Sequence, residues 1–351
     1  MPIVSRTSVV AVVIAFAAAA LPLAAVPAQA QDKPLRVTVE LGDVSLTKLP
    51  FVMAAEAGIY RRNGLDVHQY ITPTAAELIR RSSGLVVPKD FVGTGLGDIN
   101  IGGGSPTIVR MTSDARAPQR VVLATNDPVS RFHIISRTDI TRPEDLKGKR
   151  IGFSGVGALS HYVIHLFAEQ MGWDARRDLS LLANGAGPDL IKSGRIDAFA
   201  ADEIATGEAI HHGYRDLVDT GVYKFPMPGS GVNALAEWLP KNRDAAARFI
   251  KSTVEALALM KSDKAAAFAA MAKWYGIVDR VQQEHIYAQA ALLPAKPYPA
   301  AEGFRTLLRV YDYREMRIHQ PEDFYDASFV TELDRSGTID ALYRDTPDRR
   351  R

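Results

Sequence analysis

The stretch Arg150–Trp173, RIGFSGVGALSHYVIHLFAEQMGW, gathers residue types that could do three kinds of chemistry. Gly152, Gly155 and Gly157 could cradle a phosphate. His161 and His165 could hold a metal. The backbone N–H groups of a helix beginning near Ala158 could receive an anion. The dinucleotide reading fails on spacing: the glycines stand as G-x-x-G-x-G, not the G-x-G-x-x-G that serves turn, pyrophosphate and helix packing. The strand expected over Leu179–Leu182 also ends in Ala183-Asn184 rather than in an acid. The metal reading fails on direction. Leu159, Tyr162, Val163, Leu166 and Phe167 form an apolar stripe, and at about 100° per residue His161 and His165 point roughly 190° and 130° away from its centre. Both are expected on the exposed face beside Ala168 and Glu169, with no third ligand evident. His211-His212 is likewise expected as a solvated helix end. What remains is the helix N-terminus. Gly155-Val156-Gly157-Ala158 leaves N–H groups unpaired and lets a ligand approach closely, Ser154 and Ser160 add hydroxyls, and the dipole adds about 0.3–1 kcal/mol for an anion. An ordinary tight strand-to-helix turn would use the same residues.

Three further loops carry polar groups. Asp43 and Ser45 follow the first expected strand, and Gly103, Gly104 and Ser105 follow a strand ending near Ile101. Asp202 and Glu203 follow a strand ending near Ala200, and Asn126-Asp127 lies between the two halves of the pattern. Two or three carboxylates around one ligand would repel a free dianion. They suit an amine, an amidine-like ring edge or a zwitterion whose carboxylate end meets the helix N-terminus. Asp43 could instead cap the helix beginning near Leu49, and Glu203 its own helix. Tyr70, Phe132, Tyr162 and Trp238 could stack on a planar ligand or serve the core. There is no G-x-S-x-G, Walker loop or metal triad, so catalytic residues, a metal and a cofactor are not expected.

The elements that must position these loops recur along the chain. Leu35–Val67 reads as strand, Gly42-Asp43 break, helix from about Leu49 closed by Gly58, and a strand over Leu65–Ile71. A helix opened by a Thr74/Glu77 capping box follows, and then GLGDINIGGGSPT. The second copy begins at Lys149, with a strand over Arg150–Phe153, a helix from about Ala158 to Met171 capped by Gly172, and a strand over Leu179–Leu182. A helix entered through Pro188 and ended by Gly194 leads to GRIDAFAADE. Each copy is the pattern of a small doubly wound α/β lobe, whose ligands sit outside the carboxyl ends of its strands. From about Asp244 the chain reads helical, over 245–260, 264–275, 279–292 and 300–309, and these helices are expected on the first lobe.

The N-terminus has Arg6, the apolar run Val9–Ala20 and Ala28-Gln29-Ala30, the three parts of a secretory signal peptide cleaved after Ala30. Removing 30 of the 351 residues leaves 321, enough for two lobes, with the net charge falling from +2 to +1 as Arg6 departs. That balance provides no basic field for nucleic acid. With no cysteine, disulfides, thiol catalysis and thiolate metal sites are ruled out.

Three segments, LPFVMAAEAGIYRRNGLDV, DLKGKRIGFSGVGALS and SGRIDAFAADE, together with WLPKNRDAAARFIKSTVEAL, resemble the periplasmic solute-binding proteins of ABC importers in the sulfonate/nitrate/thiamine-precursor-binding class. The resemblance spans most of the chain beyond residue 30. It implies a two-lobed periplasmic-binding-protein fold of type II, hinged near Asn126–Arg131 and Val222–Gly231, which closes on one small molecule and delivers it to an inner-membrane permease. Lobe one would comprise 31–127 and return over 225–351, and lobe two 128–224. The protein is expected as a periplasmic monomer. The same fold resembles a eukaryotic pyrimidine-precursor synthase that uses lysine, histidine and pyridoxal phosphate, and a ligand-presenting sensor is a further alternative.

Overall fold

The computed structural model describes residues 33–311 and 313–344, so the expected leader lies outside the described residues. Ten strands form two five-stranded sheets. The first contains β1 (Leu35–Leu41), β2 (Leu65–Ile71), β3 (Ile99–Gly103), β4 (Arg120–Thr125) and β10 (Ser230–Leu235), in the order β2-β1-β3-β10-β4. The second contains β5 (His133–Ser136), β6 (Arg150–Phe153), β7 (Ser180–Ala183), β8 (Ala198–Ala201) and β9 (Arg215–Asp219), in the order β7-β6-β8-β5-β9. Three strands of each sheet are parallel, β1, β2 and β3 in the first and β6, β7 and β8 in the second, and a strand arriving through a crossing, β10 or β5, pairs antiparallel to the last of the three.

The repeated pattern has a physical purpose at its start. Asp98 of GDIN accepts from the Thr38 backbone N–H at 2.8 Å and its hydroxyl at 2.6 Å, tying β1 to the chain just before β3. Asp197 of RIDA does the same work in the second copy, accepting from the Arg150 N–H at 2.9 Å and from its guanidinium. One acid thus clamps the first of the three parallel strands of each sheet beside the last, β1 beside β3 and β6 beside β8.

Chain crosses between the sheets over 126–132 and 220–229. The crossings pair with one another: Ser130 N–H donates to Phe225 O at 3.0 Å, Met227 N–H to Pro128 O at 2.9 Å, and Asn126 N–H to Ser230 O at 2.7 Å.

Local signals placed most helices well. Gly58, Gly172 and Gly194 all take positive φ just beyond helix ends, where other residues would be strained. One cap differs. Thr72, not Thr74, caps the helix Pro73–Ser83, accepting from Ala75 N–H, and Glu77 pairs with Arg80 and Arg81 instead. Proline occupies the first turn there, which shifts the start two residues towards the N-terminus.

The long helix Arg243–Ser262 packs on Leu49–Glu56 within the first sheet's core, as the helical tail was expected to do. The helix Ala301–Val310 departs from that expectation. Its Phe304 and Leu307 join the core around the second sheet's helix Leu159–Gln170, and Arg309 grips Glu169 at 2.8 and 3.0 Å. This reach buries the second face of Leu159–Gln170. His161 and His165, expected in solvent, are therefore only 7% and 8% exposed. The stripe rule assumed one packed face, and the helix has two.

Candidate functional site

A cavity of about 540 Å³ opens at the carboxyl ends of the strands of both sheets, where ligands of such sheets sit. The turn after β1 contributes Asp43 and the end of β3 contributes Gly102 and Gly103. The turn after β6 contributes Ser154, and the end of β8 runs into Asp202. Ser160 from the first turn of Leu159–Gln170 completes the helix N-terminal wall, and Arg110 of the helix Gly104–Ser113 also lines the cavity. Arg110 is exposed and has no carboxylate partner among the described residues.

A second pocket, about 40 Å³, shares Asp43, Phe132, Leu159 and Asp202 with the first. It has room for about one water-sized group. Its walls are charged: Asp43, Asp127, Asp202 and Glu203 against Lys48 and Arg131. Lys48, 2% exposed, donates to Asp43 at 2.7 Å and to the Ser230 hydroxyl at 2.6 Å. Arg131 is held by Asp127 at 3.0 Å, by Gln289 at 2.9 Å and by Glu203 at 3.5 Å. Four carboxylates thus face two cations.

Asp202 caps the helix Glu203–His211, its Oδ1 accepting from Ile204 and Ala205 N–H at 3.1 and 2.8 Å. Burial first, then the neighbouring Glu203 and Asp43 carboxylates, push its carboxyl up to about 7 despite those two bonds. Glu203 does not cap its helix. It is 2% exposed and its Oε1 accepts from the Leu46 backbone N–H at 2.6 Å, joining the second sheet's helix to the loop after β1. Asp43 caps no helix either, since Lys48 leads into Leu49–Glu56 without a side-chain cap.

Of the eleven residues singled out in sequence, Asp43, Ser154, Ser160 and Asp202 line the large cavity, and Ser45 and Glu203 line the small one. Gly104, Ser105, Asn126, Gly155 and Gly157 line neither. Ser105 is fully buried and donates to Gly157 O at 2.6 Å; Asn126 donates to Thr47 O at 3.1 Å. Gly104 N–H meets Gly229 O at 2.5 Å. Of the four aromatics, only Phe132 reaches the cavities; Tyr162 is core, with its hydroxyl on Pro226 O at 3.0 Å.

Gly152 serves packing: a Cβ there would collide with the Gly185 carbonyl, so it allows β6 and the segment after β7 to approach closely. Lys48 and Arg131 were missed. The available signals were a lone lysine in the apolar run LTKLPFVM five residues after Asp43, and an arginine at i+4 from Asp127 in the crossing segment.

The pyridoxal alternative needs a lysine and a histidine facing the ligand. Neither residue type lines the large cavity, and Lys48 in the small one is already engaged by Asp43 and Ser230. The group does not fit these walls.

Comparison with known proteins agrees with the topology. The NMT1/THI5-like family model matches residues 47–267, and the chain belongs to that family. No curated protein sequence matches. Among solved structures, the periplasmic nitrate-binding protein NrtA of Synechocystis PCC 6803 superposes with a TM-score of 0.68 at 14% identity, covering 90% of this chain and 93% of its own. The periplasmic aliphatic sulphonate-binding protein SsuA of Escherichia coli gives 0.59 at 20% identity, covering 81% and 88%. The desulfurization enzyme DSZB gives 0.56 at 17% identity, covering 86% and 100%. These likenesses establish the periplasmic-binding-protein fold. Among the described residues no helix is long and apolar enough to cross a membrane.

Proposed function

We propose that the protein is the periplasmic solute-binding component of an ABC importer. It captures a small polar organic molecule between two lobes that close about the paired crossings, with lobe boundaries near residues 127 and 225. The cavity of about 540 Å³, walled by the strand ends of both sheets, carries this reading. It falls within the roughly 300–1,000 Å³ of small-molecule sites. Sulfonate, aromatic-acid and pyrimidine ligands all belong to the resemblance, and the walls discriminate among them. The excess of carboxylates around Asp43 and Asp202 favours a ligand whose deep end is an amine, an amidine or a ring-edge N–H donor. An acidic end would face Arg110 or the N–H groups of Leu159–Gln170. Release to a membrane permease follows from the same role and makes no bond.

A thermal-shift screen of the chain lacking residues 1–30 tests this against amines, amino acids, pyrimidines, aromatic acids and sulfonates. A ligand at 100 times its Kd adds about 2.7 kcal/mol. For a chain of this size that raises Tm by about 4 °C. A shift confined to anions lacking any donor end would refute the assignment of the deep pocket. Turnover of a bound ligand, followed by mass spectrometry, would instead establish an enzyme.

A further inference from the structure

We propose that His161 and His165 form a neutral imidazole relay that positions the cleft loop 154–158 from behind. The backbone N–H of Gly157 points at His161 Nδ1, 3.2 Å away, and the Tyr311 hydroxyl lies 2.8 Å from the same nitrogen. A backbone N–H can only donate, so that nitrogen carries a lone pair. The His161 proton therefore sits on Nε2. Nε2 faces His165 Nε2 at 3.2 Å, so it donates there, and the His165 proton must sit on Nδ1. Each ring thereby fixes the tautomer of the next, and a second proton on His161 would turn its Nδ1 against the Gly157 N–H.

The loop is gripped from both sides. The carbonyl of Gly157 accepts the Ser105 hydroxyl at 2.6 Å from the helix Gly104–Ser113, while its N–H is held by His161. Gly157 takes φ +80°, which glycine adopts freely, so its own backbone does not fix this conformation and the two outside bonds select it. Its neighbours Ser154, Ala158, Leu159 and Ser160 form the cavity wall. The Phe153 ring stacks on His161 at 4.3 Å and leaves the imidazole little freedom to swing out.

Charged and titratable neighbours come from every packed element. Tyr311 follows Ala301–Val310, Glu169 lies one turn beyond His165, and Arg176 belongs to the short helix Ala175–Asp178 that Asp174 caps. Burial, with Arg176 and for His161 the second imidazole, holds both rings down to about 4. Both are therefore neutral throughout the range in which the relay must work.

The relay stands without any ligand, whereas its effect on binding rests on the cleft being the ligand site. Long-range imidazole ¹⁵N–¹H spectra of the full mature chain test the first part. They should show His161 as the Nε2–H tautomer and His165 as the Nδ1–H tautomer, both unchanged from pH 8 to pH 5.5. The opposite tautomers, or a charged ring at pH 7, would overturn the relay. Hydrogen exchange over 154–160 then separates positioning from simple packing. His161→Leu should exchange at least tenfold faster there than the wild type, with the 120–125 strand unchanged. His161→Asn, whose Oδ1 falls near the lost Nδ1, should recover most of the protection. Equal exchange in the Leu and Asn variants would show that the ring only fills space. If a ligand emerges from the thermal-shift screen, its affinity should follow the same order; exchange that follows this order with affinity unmoved would retain the relay and reject its role in binding.

Discussion

Replacing Glu203 offers a test of the site that needs no ligand. Glu203→Ala strands the Leu46 N–H, which loses its 2.6 Å acceptor in a position where water has little access. An orphaned buried donor costs about 1–3 kcal/mol. Arg131 also loses a carboxylate at 3.5 Å but keeps Asp127 at 3.0 Å, so the roughly 3–5 kcal/mol of a fully broken buried pair does not apply. Part of the loss is offset, because Asp202 and Asp43 lose a like charge. The balance is a destabilisation of about 2 kcal/mol, or a Tm about 3 °C lower. Glu203→Gln keeps an oxygen for Leu46 and removes only the charge, so it should cost under about 1 kcal/mol. It should also lower the Asp202 carboxyl from about 7, since Glu203 is the largest charged contributor to that rise. Urea denaturation of both variants at pH 7, with carboxyl ¹³C titration of Asp202, gives the comparison. If Gln proves as damaging as Ala, the charge rather than the Leu46 bond holds the junction; if neither moves stability, Glu203 does not join the two halves.

Asp202→Asn should separate stability from binding. Asparagine caps helices as well as aspartate does, so the Glu203–His211 helix should persist. A raised carboxyl favours the fold most fully below pH 3.8 and loses that contribution as pH climbs through about 7. The Asn variant should therefore be more stable than the wild type at pH 8, by about 1 kcal/mol or more, with the gap narrowing as pH falls below about 7 and closing near pH 4 in parallel urea titrations. Calorimetry should show that its affinity for an amine-bearing ligand falls at least tenfold; an unchanged affinity would remove Asp202 from the site. The histidines have the opposite sign. Their folded values near 4 lie below the ordinary 6.5, so stability present at neutral pH is lost as pH falls from about 6.5 towards 4. His165→Phe, which keeps an aromatic ring and cannot be protonated, should lessen the slope of the stability profile over that window, leaving the part due to His161. Gly152→Ala should cost about 2 kcal/mol or more, because its Cβ meets backbone that cannot give way, while Gly155→Ala should be near neutral, with open space around it. Equal Tm values for these two glycine variants would contradict the packing role assigned to Gly152.

Sequence by itself determined the elements, their order and the loops at their ends. The strand–helix alternation of both copies is local information, carried by apolar periodicity, by Gly58, Gly172 and Gly194 at helix ends, and by Pro188 at a helix start. Those signals act within a turn or two of chain, and they put Asp43, Ser154, Ser160 and Asp202 on cavity walls before any contact was known. What each polar group does once there was decided only by tertiary structure. Glu203 finds its partner 157 residues away at Leu46, Lys48 finds Ser230 across 182, and His161 finds Tyr311 across 150. No period or spacing in one segment encodes partners at that separation. The histidines show the consequence most plainly. Their own helix pattern pointed them outward, and a helix that begins 140 residues later covered them. Burial of a polar group is a property of what packs over it, and in this fold the packing comes from the far end of the chain.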